Sequence, residues 1–249
     1  MSCLRTQSST ILHALAAMLL FAATAASQIS GLCNTGQTRA TTPGCTGVLV
    51  SPNPFGGGPQ LDGNWELAYP YPIKSTGTGA ATPCGLKIFI PAAVDIPLSN
   101  PPWLANSASS ASEWITPEDG ENPIGSGMFV YRTRFPVAAK LPNGNAPTGL
   151  TISGQLASDN ATFGIYLESP ANSGRCSLVS GQTFPVNPSG GSFDDFQQWW
   201  PFTFSNPAPI SPGDDAYLYF VVQNAYDSVD DGASATGLRV EFFASSAFN

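Results

Sequence analysis

Met128-Phe-Val-Tyr-Arg-Thr-Arg-Phe-Pro-Val137 reads as a β-strand with one buried face. Phe129, Tyr131, Thr133, Phe135 and Val137 share one parity, while Arg132 and Arg134 take the other. Successive side chains on a strand point to opposite sides, so this pattern aims five residues at a core and two cations away from it. The alternation recurs along the chain. In Thr162–Glu168, Phe163, Ile165 and Leu167 alternate with Thr162, Gly164, Tyr166 and Glu168, and Gly237–Phe243 sets Leu238, Val240 and Phe242 against Arg239 and Glu241. Ala216–Gln223 is apolar on both parities, the pattern of a central strand covered on both sides. Weaker strand candidates are Asn64–Tyr69, Leu86–Ile90, Leu150–Ser153 and Trp199–Phe204.

The rest of the composition agrees with a strand protein. Of 249 residues, 25 are Gly and 23 Pro, and they punctuate the apolar runs at turn-like intervals. No twelve-residue window after the first residues carries a helical stripe. Eight or nine short strands with Pro-, Gly-, Asn- and Asp-rich connections specify an all-β, two-sheet antiparallel β-sandwich of jelly-roll type. Only 10% of residues are charged and the net charge is −8, which excludes a coiled coil and a basic nucleic-acid binder. One long stretch, Pro91–Gly127, shows no strand pattern, and long structureless loops often carry function.

The first residues read as an address. A polar start with Arg5 precedes the apolar run Ile11–Ala26, and Ala25-Ala26-Ser27 supplies the small residues of a cleavage site. At about 16 residues the run is shorter than a bilayer span needs. The expected organisation is therefore a signal peptide over 1–27, an irregular Gly-rich segment over 28–60, a sandwich over 61–243 and a short tail over 244–249, in a secreted, extracellular product. Cleavage removes His13 and Cys3 and leaves Cys33, Cys45, Cys84 and Cys176. Four cysteines in an exported chain imply two disulfides among three pairings, with free buried thiols as the alternative. Cys33–Cys45 with Cys84–Cys176 is the favoured pairing, because the first closes a short local loop.

From Trp114 onward the order of motifs is familiar. Trp-Ile-x-Pro (Trp114–Pro117) precedes Gly-x-x-x-Tyr-Arg-Thr-x-Phe (Gly127–Phe135), Leu-x-Ile-x-Gly (Leu150–Gly154) and Ala-x-Asp-Asn (Ala157–Asn160). Then follow Ile-Tyr-Leu (Ile165–Leu167), Pro-Phe-x-Phe (Pro201–Phe204), Leu-x-Phe-x-Val-x-Asn (Leu218–Asn224) and Thr-Gly-Leu-Arg-Val-Glu (Thr236–Glu241). This resembles the galactose-binding-like jelly roll of secreted bacterial proteins sorted by exosortase (the PEP-CTERM type), and is similar to the sugar-binding sandwich of β-galactosidase-type glycosidases. The resemblance implies either glycan binding or an accessory structural role. Two departures stand out. Glu168-Ser-Pro-Ala-Asn172 replaces the usual Asn-Gly turn, and surface anchoring through the family's C-terminal sorting signal is not expected.

The chemistry of the side chains points away from catalysis. Without a mature histidine there is no Ser-His-Asp or Cys-His arrangement, and zinc loses its usual ligand. A carboxylate pair for glycoside hydrolysis stays open, with Glu113, Glu118, Asp119, Glu121, Asp159, Asp194 and Asp195 among the supply, most of them in turn clusters. No cofactor is implied, although Asp227, Asp230 and Asp231 offer either a structural calcium site or solvated turn acids. Asn160-Ala-Thr162 is either a glycosylation sequon in a eukaryotic host or a structural strand start. A glycan or matrix component is the expected partner. Sugars present apolar C–H faces beside hydroxyls, which suits flat exposed aromatics. Trp103, Trp114 and Trp199, with Gln198, are the binding candidates, each weighed against packing in the core. Trp200, Phe202 and Phe204 share the inward parity, and Trp199 takes the outward one.

Overall fold

The computed structural model describes residues 27–39, 45–50, 60–71, 83–84, 86–95, 103–105, 111–117, 127–170, 176–179, 196–206, 210–224 and 235–249. Residues 1–26, within the expected signal peptide, the expected calcium ligands Asp227, Asp230 and Asp231, and the acids Glu118, Asp119, Glu121, Asp194 and Asp195 lie outside these residues. Among them there are thirteen strands and no α-helix. They are β1 (Ser27–Gln28), β2 (Gln37–Arg39), β3 (Cys45–Leu49), β4 (Gln60–Tyr71), β5 (Ile90–Asp95), β6 (Trp114–Thr116) and β7 (Gly127–Pro136). The remainder are β8 (Gly149–Asp159), β9 (Ala161–Glu168), β10 (Ser177–Leu178), β11 (Trp200–Asn206), β12 (Asp215–Asn224) and β13 (Gly237–Phe248).

β2 and β3 pair with each other, and the other strands form one antiparallel sheet in the order β10-β9-β12-β7-β4-β5-β6-β13-β8-β11, with β1 added to β13. This sheet curls into a sandwich. One layer is β9-β12-β7-β4, the other is β13-β8-β11, and the short β5 and β6 carry the sheet round one side. A single core collects the inward residues of both layers. The parity of Met128–Val137 is realised: Phe129, Tyr131 and Phe135 are fully buried. Trp65 of β4 meets Phe220 at 5.4 Å between ring centroids and Phe242 of the opposite layer at 6.3 Å. Phe202 of β11 meets Phe220 at 6.0 Å, again across the sandwich. Each such ring contributes about 2 to 3 kcal/mol by burial. Gly154 of β8 makes room for them, since a Cβ there would lie 2.7 Å from Phe202 Cζ.

One phenylalanine leaves the expected pattern. Val221 pairs with Gly164 and Val222 with Thr162, so Phe163 is the extra residue of a bulge and is 45% exposed. On β13, Phe243 keeps the outward parity of Arg239 and Glu241 and is 62% exposed, while Phe242 pairs with Gly154 and Ala244 with Ser153, a second bulge that shifts the residues after it. A bulge resets the alternation that parity counts on. Beyond it β13 continues to Phe248, so residues 244–248, expected as a tail, pair with β8 and bury Ala247.

Two further boundaries move. Leu86–Phe89 is not a strand; Leu86 and Phe89 pack flat on the outside of the first layer, and pairing starts at Ile90. The expected loop Pro91–Gly127 contains β6, whose three buried residues bond β5 on one side and β13 on the other. The Gly-rich lead-in is docked along the edge of β13. Val240 N–H donates to Thr35 Oγ1 (3.0 Å), Phe242 N–H to Asn34 Oδ1 (2.7 Å), and Trp65 Nε1–H to the Cys33 carbonyl (3.0 Å). Disulfides join Cys33 to Cys45 and Cys84 to Cys176, the favoured pairing.

Candidate functional site

The tryptophans expected to bind sugar come together on the outward face of the β13-β8-β11 layer, where they pack with Phe196, Ala157 and Leu104. Trp103 and Trp114 nevertheless lie inside the protein. Trp114 is fully buried and Trp103 is 5% exposed, with ring centroids 4.4 Å apart. Their ring N–H groups are already used: Trp103 Nε1 donates to Asp159 Oδ2 (2.8 Å) and Trp114 Nε1 to the Leu104 carbonyl (2.8 Å). Neither presents a free face for a ligand. The reason is tertiary: residues 103–105 fold back over β13, held by Leu104 N–H on the Phe196 carbonyl (2.9 Å).

Trp199 is different. It is half-buried, and Gln197 and Gln198 beside it are exposed. The Arg239 guanidinium carbon sits 4.8 Å from the Trp199 ring centroid, and Arg239 is itself only 2% exposed, so the ring roofs a buried cation. Arg239 Nε donates to Ser112 Oγ (2.9 Å), and Nη1 donates to the carbonyls of Leu104 (3.3 Å) and Ala105 (3.2 Å). Glu241 lies 3.9 Å from Nη2 and accepts from Ser112 Oγ and Gln155 Nε2. Burial pulls the Arg239 pKa below its usual value, and Glu241 and Glu113 oppose that pull. The buried charge is paired and hydrogen-bonded, as it must be to persist there.

Away from Trp199 the same face turns into rows of uncharged hydroxyls. Thr203 and Ser153 are register partners joined at 3.0 Å, and Ser205 and Thr151 at 3.2 Å, with Ser246 next in the row. From Trp199 to Ser205 this face extends about 20 Å at the usual rise per strand residue.

The candidate acids among the described residues are interior. Glu113 and Asp159 are buried, and so is Asp62, an acid that the sequence did not single out. Burial pushes Asp62 up to about 7, against backbone N–H groups of Asn64, Gly36 and Trp65 that favour its charged form. Glu113 is also raised to about 7, first by burial; Arg239 draws it down and Asp62 pushes it up. Asp159 rises to about 7 through burial, opposed by the Trp103 hydrogen bond. Glu113 Oε2 and Asp159 Oδ1 have no hydrogen-bond partner among the described residues. Gly36, at φ +77°, is pressed on Glu113: a Cβ there would lie 2.6 Å from Glu113 Cβ. The two described acids considered for hydrolysis are thus packed beneath other groups, Glu113 under Gly36 and Asp159 against Trp103. No three Asp, Glu, His or Cys side chains converge as a metal site among the described residues. Asn160 is half-buried in the connection from β8 to β9, where its N–H donates to the Gln223 carbonyl (3.0 Å).

The sequence did not single out the outward face of the other layer. There the register aligns Leu178, Tyr166, Tyr219, Arg132 and Glu66 in one row across β10-β9-β12-β7-β4. Arg132 lies 3.5 Å from the Phe89 ring centroid and 4.8 Å from that of Tyr217, and it pairs with Glu66 at 2.6 Å. Tyr219 donates to Glu168, and burial raises its pKa. The signal for this face was present in Ala216–Gln223, whose second parity is Tyr217, Tyr219 and Val221.

The class defined by these features is a disulfide-tied antiparallel β-sandwich with one tyrosine–arginine face and one tryptophan–hydroxyl face. No family profile matches this chain, and no curated protein shows detectable similarity to it.

Proposed function

We propose that this is a secreted, non-catalytic carbohydrate-binding module of galactose-binding-like type, associated with a cell surface or extracellular matrix. The supporting observation is Trp199: a half-exposed indole roofing Arg239, flanked by exposed glutamines and continuous with uncharged hydroxyl rows. An aromatic plane takes the C–H face of a sugar, and amide and hydroxyl groups take its oxygens. The motif order from Trp114 to Glu241 supports the same reading by resemblance. Two disulfides, and the lack of a membrane-spanning helix among the described residues, suit an extracellular chain.

A glycan array probed with the purified chain, followed by titration of the best binder, is the direct test. Trp199→Ala is expected to weaken binding by at least about 1 kcal/mol, on the scale of aromatic anchors at interfaces. An array without a binder, or an unchanged affinity in the variant, overturns the proposal.

A second reading is a structural or protein-interacting envelope component without a sugar ligand. It draws on Ile88 (81% exposed), Ile90 and Leu178, large apolar residues left uncovered. Hydrolysis by a carboxylate pair ranks third, since Glu113 and Asp159 are both buried.

A further inference from the structure

A cavity of about 320 Å³ opens where the disulfide-tied N-terminal segment meets the bulge of β13. Its wall includes Ile29, Ser30, Leu32, Phe242, Phe243 and Ser245, and among its described lining residues none carries a charge. The walls are built in advance. Ile29 N–H donates to the Ser245 carbonyl (3.3 Å), and Cys45, which also lines the cavity, is bonded to Cys33. The bulge re-aims the residues that follow Phe243, so that Ser245 lines the cavity, while Phe243 keeps its outward parity and is 62% exposed. Bulges commonly re-aim a side chain at a functional position. A volume at the small end of ligand pockets admits one compact molecule.

We propose that this cavity is a second carbohydrate subsite, which takes one hexose-sized residue of a neutral glycan against Phe243 with its hydroxyls on Ser30 and Ser245. The chemistry of the wall selects that class. An aromatic ring suits the apolar face of a pyranose, and two serine hydroxyls can both donate and accept. A uronate or sulfated sugar would enter a wall with no cation to compensate its charge and would lose its hydration. The cavity also adjoins the face already described, since Ala244 pairs with Ser153 of the hydroxyl rows. The subsite rests on the reading of the protein as a glycan binder, but it makes its own separate claim.

The test is amide NMR of the full chain titrated with methyl β-galactoside, methyl β-glucoside, N-acetylglucosamine and glucuronate. Saturable shifts at Ile29, Ser30 and Ser245 are expected with at least one neutral probe and not with glucuronate. Phe243→Ala, at an exposed position, is expected to weaken that response about fivefold or more, and Ser30→Trp to abolish it by filling the space. Shifts confined to Trp199 and Gln198 overturn the cavity and leave the Trp199 reading standing. Shifts at neither region, together with an empty glycan array, overturn both. An equal response to glucuronate overturns the proposed neutrality. Nuclear Overhauser contacts from residues 40–44 or 51–59 to the Phe243 ring of the free chain show the space filled by the protein itself, and likewise overturn the proposal.

Discussion

On the β9-β12-β7-β4 layer the outward side chains are tyrosines and arginines, roofed by Leu86 and Phe89 and stapled by Cys84–Cys176. On the β13-β8-β11 layer they are hydroxyls and amides grading into tryptophans, with one buried arginine beneath Trp199. Both faces follow the same strand alternation. They differ in how charge is handled. The first face pairs its cations near the surface, Arg132 with Glu66 and Arg134 with Asp215. The second takes one cation fully inside and leaves its open area neutral. A neutral, hydrogen-bonding surface beside an aromatic plane is the better host for a sugar, and a charged, stapled one is the better structural wall.

Four measurements break or sharpen that contrast. The largest effect is expected from pH, and it acts at the second face and its junction with the N-terminal segment. Asp62, Glu113 and Asp159 keep their protons up to about pH 7 when folded, while the unfolded carboxyls release theirs near 3.8 and 4.5. The folded state then binds more protons, so stability is fullest below about pH 4, falls as pH rises through 7, and levels off above. At about 1.4 kcal/mol per unit, Asp159 alone accounts for up to about 4 kcal/mol. Denaturant midpoints should therefore be higher at pH 5 than at pH 8, and Asp159→Asn should flatten part of the slope. A midpoint that climbs with pH contradicts this.

Next come the staples. Cys84 and Cys176 are 92 residues apart, and Cys33 and Cys45 only 12. In the chain-entropy account, replacing the first pair with serine costs about 4 to 5 kcal/mol and the second about 3 kcal/mol. Equal losses in urea unfolding would mean that the first face owes nothing special to its staple.

The arginines give the third comparison. Arg239→Leu removes a buried cation from Glu241 and Ser112, and should destabilise by about 3 kcal/mol or more. Arg132→Leu on the first face should cost about 1 kcal/mol or less, because its partner Glu66 is 47% exposed and the pair is screened. Similar losses for the two would erase the distinction between an inward and an outward cation.

The smallest expected effect is on binding. Trp199→Ala should reduce glycan affinity about fivefold, while Tyr217→Ala on the opposite face leaves it unchanged. A drop with Tyr217→Ala would move the sugar site to the tyrosine face.

The two faces were not equally legible. Phe129, Tyr131 and Phe135 could be placed in the core from their spacing alone, since uninterrupted alternation leaves them one side to face. Phe163 had the same chemistry and came out exposed, because it sits at a bulge that only the partner strand imposes, whereas Phe243 already carried the outward parity of Arg239 and Glu241. Trp103 and Trp114 were plausible platforms in a loop, yet the loop folds back and turns them into packing. Trp199 needed both kinds of information. Parity turned it outward, and only the register of β13 put Arg239 beneath it.

Local chemistry written along the chain therefore determined the all-β class, the long strands with unbroken alternation and their inward residues, and it favoured the cysteine pairing that forms. Those follow from a two-residue period, turn formers and loop length, which neighbouring residues settle among themselves. Which outward side chains would be roofed, where a strand would slip by one residue, and which acids would lose their water were decided by packing. Those outcomes depend on groups distant in sequence, and a strand's own alternation says which way a side chain points but not what comes to lie over it.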